Sequence, residues 1–375
     1  MLKSKKSPAY QNQKLELTQR LKKLKSLLKL KNLDAFLVSS QANRTYLTGW
    51  QGDSESGFVL VTPTAEYIIT DSRYSEHALR ETNLFEIIET TEGIGPALNE
   101  IVEKDRLNSV GFESRDLSVF SLKRLTKFVK EAKVIPNAHL VEEIRSIKSA
   151  FEIEQLKRAA VAGDKAFKYI LGFIHPGRTE EEIAWELTNA MRKFGAGSNA
   201  WDPLIVAAGA NSSMAHYQPG NAKIKKGDQV LLDFGANVDG YCSDMTRMVF
   251  AGKPNEEQKK IYNAVLEAQK IGLSLVKEGR RAAIIDKKVR RFIEKQSNYC
   301  YRHGLGHGIG LEVHELPSVS IHSKQKLVAG NTITIEPGIY IPKWGGVRIE
   351  DMVVVTKDGC RVLTKAPKEI NGVTI

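Results

Sequence analysis

The sequence predicts an α/β unit followed by an α+β unit. Strands and helices alternate over the first part of the chain, and the C-terminal part is mostly strand and turn. In the second unit, carboxylates also stand inside strand-like runs that are otherwise apolar. The length of 375 residues suits two domains of ordinary size. Hydrophobic residues make up 42% and charged residues 26%, which excludes disorder as the main state.

Residues 1–31 read as a basic tail and helix. Nine lysines and Arg20 stand against Glu16 alone, so this stretch holds +9 of the net +11. Leu17, Leu21, Leu24 and Leu28 recur at helical spacing, predicting an amphipathic helix that packs on its domain and solvates a basic face. It is the one candidate for nucleic-acid or anionic-lipid contact, and no zinc-finger, basic-zipper or RNA-recognition signature accompanies it.

A domain over 32–140 follows. Residues 34–39 read as a strand, 57–62 and 66–70 as a hairpin turned at Pro63-Thr64, and 75–81 as a helix. Strand 85–89, helix 94–104, strand 110–113 and helix 118–131 continue the alternation until Ile135-Pro136-Asn137 breaks it. The remaining domain, 141–375, opens on a long helix over 149–170. After the turn at His175-Pro176-Gly177, Thr179 and Glu182 form a capping box for a helix to about 192. Strands are expected at 203–207, 229–235 and 242–251, and Asn255 caps a helix to about 277. A helix at 282–296 and strands at 332–341, 346–356 and 360–363 complete the chain.

No apolar run approaches the ~18 residues of a membrane span, so no membrane partner is expected. The basic start lacks the apolar core and cleavage site of a secretion signal. Cys242, Cys300 and Cys360 are odd in number and far apart, which excludes a disulfide scaffold and a cysteine-rich zinc site; a reducing cytoplasm is the expected location.

The chemistry lies in the strands of the second domain. Asp233 interrupts Val230-Leu231-Leu232-Asp233-Phe234-Gly235, and Asp244 follows in Tyr241-Cys242-Ser243-Asp244 across the turn dipeptide Asp239-Gly240. Folding there sets the two aspartates across from one another within about a residue. Glu336 and Glu350 repeat the design around Pro342 and Gly345-Gly346. One such carboxylate is ordinarily an edge or salt-bridge residue. Two pairs on hairpins repel one another strongly, and two divalent cations neutralise four charges where one does not. Nitrogen donors are at hand in His303, His307 and His314, the first two within a run with glycine at 304, 306, 308 and 310 that forbids a helix and lets the backbone approach a metal. Oxygen donors with an imidazole and no sulfur suit manganese, cobalt, iron or zinc. Two such ions generate a hydroxide nucleophile and polarise a carbonyl, so the expected chemistry is hydrolysis. Asp233-Phe234-Gly235 spells a kinase triplet without the other kinase segments, and the glycine run lacks the setting of a dinucleotide site. His77, His139, His175 and His322 read as surface or core histidines, and the cysteines as packing residues.

Together these segments resemble the proline-specific peptidases of the pita-bread metallopeptidases, the Xaa-Pro aminopeptidases and Xaa-Pro dipeptidases (prolidases). Asn43-Arg44-Thr45-Tyr46-Leu47-Thr48-Gly49 resembles the creatinase-type N-terminal domain. Ile144-Arg145-Ser146-Ile147-Lys148-Ser149, with Glu152-Ile153-Glu154, resembles the entry to the catalytic domain. The resemblance implies an α/β creatinase-like domain and an α+β pita-bread domain with a dinuclear metal site. It implies Asp233, Asp244, His307, Glu336 and Glu350 as ligands, with Asp244 and Glu350 bridging and Glu336 accepting a proton from the nucleophilic water. His216 then holds substrate near the scissile bond, His314 stabilises the oxyanion, His303 lines the proline side and Arg348 supports the site or contacts substrate. His216, His303 and Arg348 also have plainer readings as supports and as a counter-charge for acids such as Asp351.

The implied reaction releases an N-terminal residue from a peptide with proline at the second position, by a metal-bridging hydroxide. The implied cofactors are two divalent ions, Mn²⁺ first and Co²⁺, Zn²⁺ or Fe²⁺ as alternatives, and the implied assembly is a homodimer. An Xaa-Pro dipeptidase is the alternative; a non-enzymatic pita-bread interaction protein is a remote one, since all five ligands are retained. A methionine aminopeptidase would not need the N-terminal domain, and a creatinase-like amidinohydrolase would lack the ligands. The short stretch before His303 and the lysine-rich start depart from the family pattern and touch no ligand.

Overall fold

Parallel strands need crossover connections, and the first part of the chain supplies helices for them. The computed structural model describes residues 8–375; the first seven residues of the basic tail lie outside the described residues. In the unit that ends at Arg145, the strands are β1 (Ala35–Val38), β2 (Phe58–Val61), β3 (Glu66–Thr70), β4 (Glu86–Glu89), β5 (Ser109–Glu113) and β6 (Lys133–Asn137). They form one mixed sheet in the order β4-β3-β2-β1-β5-β6, with β1, β5 and β6 parallel and β2 antiparallel to both neighbours. Its helices are α1 (Pro8–Leu30), α2 (Gln41–Thr48), α3 (Ser75–Glu81), α4 (Ile94–Lys104), α5 (Val119–Phe128) and α6 (Leu140–Arg145). Leu17, Leu21, Leu24 and Leu28 of α1 are buried against α2 and α6, while Lys22, Lys23 and Lys29 stay exposed. Helix α2 has no apolar stripe to announce it. It rests on Ser40 as N-cap and on Gly49 in the left-handed region.

The second unit begins at Ser146. Its first half holds α7 (Ala150–Ile170), α8 (Glu180–Lys193), β7 (Ser198–Asn199), β8 (Ile205–Ala208), β9 (Gln229–Phe234), β10 (Ala236–Val238), β11 (Tyr241–Cys242) and β12 (Met245–Phe250). The second half holds α9 (Glu256–Leu275), α10 (Ala282–Gln296), β13 (Gly306–Gly308), β14 (Glu315–Val319), β15 (Thr332–Ile335), β16 (Gly338–Ile341), β17 (Gly345–Arg348), β18 (Asp351–Val355) and β19 (Cys360–Val362). Reciprocal capping boxes start three of the helices: Ser149 with Glu152, Thr179 with Glu182, and Asn255 with Gln258. The main sheets run β12-β9-β8 and β14-β13-β15-β18-β19. Leu232, Val249, Ile333 and Val353 are fully buried in one core shared with the helices.

Besides Ile135-Pro136-Asn137, which lies within the edge strand β6 rather than breaking the alternation, two expectations need correction. The strands expected at 229–235, 242–251, 332–341 and 346–356 are each interrupted or shortened beside a carboxylate. Asp233 pairs with Thr246, so Asp244 lies two residues away on the same face rather than directly across. The cause is the turn: with only Asp239-Gly240 in it, Val238 stands opposite Tyr241, and that register runs on through Ser243, whose N–H donates to the Ala236 carbonyl (2.8 Å), to Asp233 opposite Thr246. In the other hairpin the register is likewise unchanged across the break, Ile335 opposite Asp351 and Gly338 opposite Arg348, which sets Glu336 opposite Glu350. The second correction concerns the glycine run. A Cβ on Gly306 would meet the Thr334 carbonyl oxygen at 2.0 Å, and one on Gly308 the Leu316 oxygen at 2.2 Å. These glycines serve strand-to-strand approach, not approach to a metal.

Behind the breaks sits a fully buried ion pair, with Arg247 Nη2 2.7 Å from Asp351 Oδ1. Arg247 also donates to the carbonyls of Thr246 (3.0 Å), Ala366 (3.1 Å) and Glu350. Removing the guanidinium leaves a buried carboxylate and three carbonyls short of a donor. Arg247→Met is expected to destabilise the protein by about 3–5 kcal/mol, read from urea unfolding; a change below about 1 kcal/mol would mean that Asp351 is served by its other donors.

Candidate metal centre

The period-two rule places Asp233, Thr246 and Asp244 on one face of the first hairpin, and Thr334, Glu336, Glu350 and Arg348 on one face of the second. The two meet where the Glu350 backbone N–H donates to the Thr246 carbonyl (3.2 Å) and the Thr246 hydroxyl donates to Glu350 Oε2 (2.7 Å). Glu336 N–H turns away from its strand to the Leu305 carbonyl (2.8 Å). His307 enters on β13, its backbone N–H held by Thr334 Oγ1 at 3.1 Å.

All nine candidate residues line a single cavity of about 490 Å³. One donor atom each from Asp244, His307 and Glu350 lie within 4.8 Å of one another. Glu336 Oε1 lies 3.4 Å, and Asp244 Oδ2 3.5 Å, from His307 Nε2. Asp233 stands on the same wall with its Oδ2 on Arg348 Nη2 at 2.6 Å. Arg348 further donates to Thr246 Oγ1 (2.9 Å) and the Tyr340 hydroxyl (2.8 Å). His303 Nε2 lies 3.0 Å from that hydroxyl. His314 packs edge-on to His307, ring centroids 4.3 Å apart, and His216 lies on the cavity wall near both His303 and His314.

The electrostatics test whether a cation belongs here. Burial, then Glu350, pushes the carboxyls of Asp244 and Glu336 well above the usual range. Burial, then Asp233, raises Glu350 to about 8. Burial opposes the charge of Arg348, yet Tyr340, Asp233 and Glu336 overcome it and the guanidinium stays protonated. Burial, then His314, lowers His307 to about 3, and burial lowers His303 to about 4 and His314 in the same direction. At neutral pH these rings are therefore neutral. His307 Nδ1 donates to the Gly308 carbonyl (3.1 Å), which leaves the lone pair of Nε2 facing two carboxylate oxygens. Glu350 Oε1 is buried and has no hydrogen-bond partner. Converging lone pairs, an orphaned carboxylate oxygen and a single fixed cation fit divalent metal ions held by Asp233, Asp244, His307, Glu336 and Glu350.

Three participants are absent from the sequence expectations: Thr246, Thr334 and Tyr340. The two threonines stand two residues from Asp244 and Glu336, so strand periodicity alone would have put them on the same face. Tyr340 has no such signal beyond lying in the strand after Glu336. Three of the other histidines have partners elsewhere. His77 accepts from Trp50 Nε1 (3.1 Å), His175 accepts from Arg178 Nε (3.2 Å), and His139 lies 3.1 Å from Arg115 Nη1. Among the described residues no helix is long and apolar enough to cross a membrane.

Known proteins resemble this chain in sequence and fold. Residues 154–357 match metallopeptidase family M24, and residues 20–147 match the creatinase/prolidase N-terminal domain. The Xaa-Pro dipeptidase of Pyrococcus horikoshii is 36% identical over 94% of this chain and 99% of its own. The structure of the Xaa-Pro dipeptidase from Bacillus anthracis superposes with a TM-score of 0.91 at 38% identity, covering 96% of this chain and all of that one (100%). That of the X-Pro aminopeptidase from Thermotoga maritima gives 0.85 at 35% identity, covering 92% and 98%.

A pH dependence follows from the acidic cluster. Glu350 releases its proton near 4.5 when unfolded and at about 8 when folded, so between those values the folded state binds more protons. Stability without metal therefore falls as the pH rises through that window. Calorimetry in a chelator is expected to show the melting temperature dropping from about pH 5 to about pH 8, and saturating Mn²⁺ at the upper end restoring it. A flat or rising chelator profile would contradict the electrostatics.

Proposed function

The chain belongs to metallopeptidase family M24 and carries a creatinase/prolidase N-terminal domain, and from that premise we propose that it hydrolyses the bond between an N-terminal residue and a proline. The observation that carries this reading is the acid-lined cavity with its histidines, on a chain whose relatives include Xaa-Pro peptidases. The imide before proline lacks an N–H and has a restricted backbone, so a dedicated site is chemically sensible. The aminopeptidase form is the first reading. A dipeptidase must hold the free carboxylate of proline, yet among the described residues no lysine lines the cavity and Arg348 is already engaged with Asp233, Thr246 and Tyr340.

Two divalent ions, manganese first, are the proposed cofactors, held by Asp233, Asp244, His307, Glu336 and Glu350. When bound, they supply Lewis acidity that lowers the pKa of water and polarises a carbonyl. Glu336 takes the proton of the attacking water on Oε2, the oxygen not shared with Thr334. As the C–N bond breaks, that proton passes to the proline nitrogen, which leaves as the amine. His314, neutral at the cavity wall, donates an N–H to the oxygen that gains charge. His216 holds the substrate beside the scissile bond, and His303 with Tyr340 forms the proline side. Arg348 fixes Asp233. A homodimer in the cytoplasm completes the proposal.

Ala-Pro-Ala and Ala-Pro assayed with Mn²⁺ test it. Cleavage of the tripeptide is the expected result; cleavage of the dipeptide alone would establish the dipeptidase instead. No metal-dependent cleavage of either would sink both. Glu336→Gln is expected to lower kcat by at least ~10²-fold, and near-normal turnover in that variant would remove Glu336 from the proton path.

A further inference from the structure

The loop that carries His216 has no regular structure of its own between Ser213 and Gln229. Something must fix it if its histidine is to meet a substrate. On one side it is tied to the metal-bearing hairpin: Gly346 N–H donates to Ser212 Oγ (2.8 Å), and Arg348 Nη1 lies 3.4 Å from the Ala215 carbonyl. On the other side stands Glu180, at the first turn of α8, with no exposed surface at all.

Glu180 accepts four hydrogen bonds, every one from the segment 208–220. Ala208 N–H (2.8 Å) and Asn211 Nδ2 (2.9 Å) reach Oε1, while the Tyr217 hydroxyl (2.8 Å) and Gly220 N–H (3.3 Å) reach Oε2. Asn211 Nδ2 also donates to the Tyr217 hydroxyl at 2.9 Å, which closes the network. Two donors therefore precede His216 and two follow it, one of them on the adjacent residue. Capping does not explain this carboxylate, because the N-cap of α8 is already served by Thr179 and Glu182. A buried carboxylate whose donors all come from one loop is an organiser of that loop.

We propose that Glu180 is a positioning residue for the peptidase reaction, holding the 208–220 loop so that His216 meets the substrate. This rests on the role given to His216 above. A misplacement of about 1 Å at such a contact costs up to about a hundredfold in rate.

The test is a double-mutant cycle on the full-length, Mn²⁺-loaded protein, with Glu180→Gln, Tyr217→Phe and His216→Ala read as kcat/KM on whichever Xaa-Pro peptide the wild type cleaves. Glu180→Gln keeps the shape but faces Gly220 N–H with an amide that can donate as well as accept; Tyr217→Phe deletes one donor. Glu180→Gln is expected to lower kcat/KM about ten- to a hundredfold with bound metal unchanged, and Tyr217→Phe less. Each loss should largely vanish when His216 is already alanine. Losses that persist in full in the His216→Ala background, or a Glu180→Gln enzyme with wild-type kcat/KM, would overturn the proposal. Hydrogen exchange across 208–220 supplies a readout that needs no turnover: it should quicken in both Glu180→Gln and Tyr217→Phe, and unchanged protection in both would overturn the proposal by itself. A wild type that cleaves no Xaa-Pro peptide would sink the functional reading, and the exchange result would then decide alone whether Glu180 organises the loop.

Discussion

Mutual repulsion among buried carboxylates is the constraint around which the second unit is built. Asp233, Asp244, Glu336 and Glu350 line one cavity, and among the described residues Arg348 is the only arginine or lysine on its wall. At an effective dielectric constant of 20, two charges about 4 Å apart repel by about 4 kcal/mol, so several such pairs exceed a typical net stability of about 5–15 kcal/mol. Protonation relieves the repulsion in acid, and Asp244, Glu336 and Glu350 are all pushed in that direction. Divalent cations would relieve it at neutral pH with the carboxylates ionised.

The fold bears this load with interrupted ladders. Asp233 stays in its ladder opposite Thr246, while Glu336 and Glu350 stand where the second hairpin loses its ladder, so their side chains converge on the site as their backbones bond elsewhere. Glu350 N–H reaches the other hairpin and Glu336 N–H reaches Leu305. Arg247 and Asp351 brace the break from the core, and Arg348 spans from Asp233 to Tyr340. Neutral histidines complete the wall, since burial keeps His303 and His307 from becoming cations that would satisfy the acids without metal.

Much of this was legible in the sequence because the relevant signals are local. Thr179 with Glu182 announces a helix, the leucine stripe announces the packed face of α1, and a charge between Leu232 and Phe234 announces a site. The interruptions were only partly legible. Pro337-Gly338 stands at the break after Ile335, but no breaker marks Ile349-Glu350, where the convergence of two hairpins opens the ladder. The aspartate register is set by the turn: the two residues Asp239-Gly240 put Asp233 opposite Thr246, whereas the turn between Ile341 and Gly345 puts Glu336 opposite Glu350. The glycines around His307 were read as serving a metal when they serve Thr334 and Leu316, a distinction that depends on which strands become neighbours. Glu180 was invisible as anything but a helix-start acid; its four donors lie 28–40 residues away in the chain.

Elemental analysis of the purified full-length protein after Mn²⁺ loading and gel filtration measures the central relation directly. Two equivalents of metal per chain are predicted for the wild type, and fewer for Glu350→Ala, which removes the orphaned oxygen. A wild-type chain that retains no divalent ion, yet remains folded at neutral pH with the same melting temperature in chelator, would contradict it.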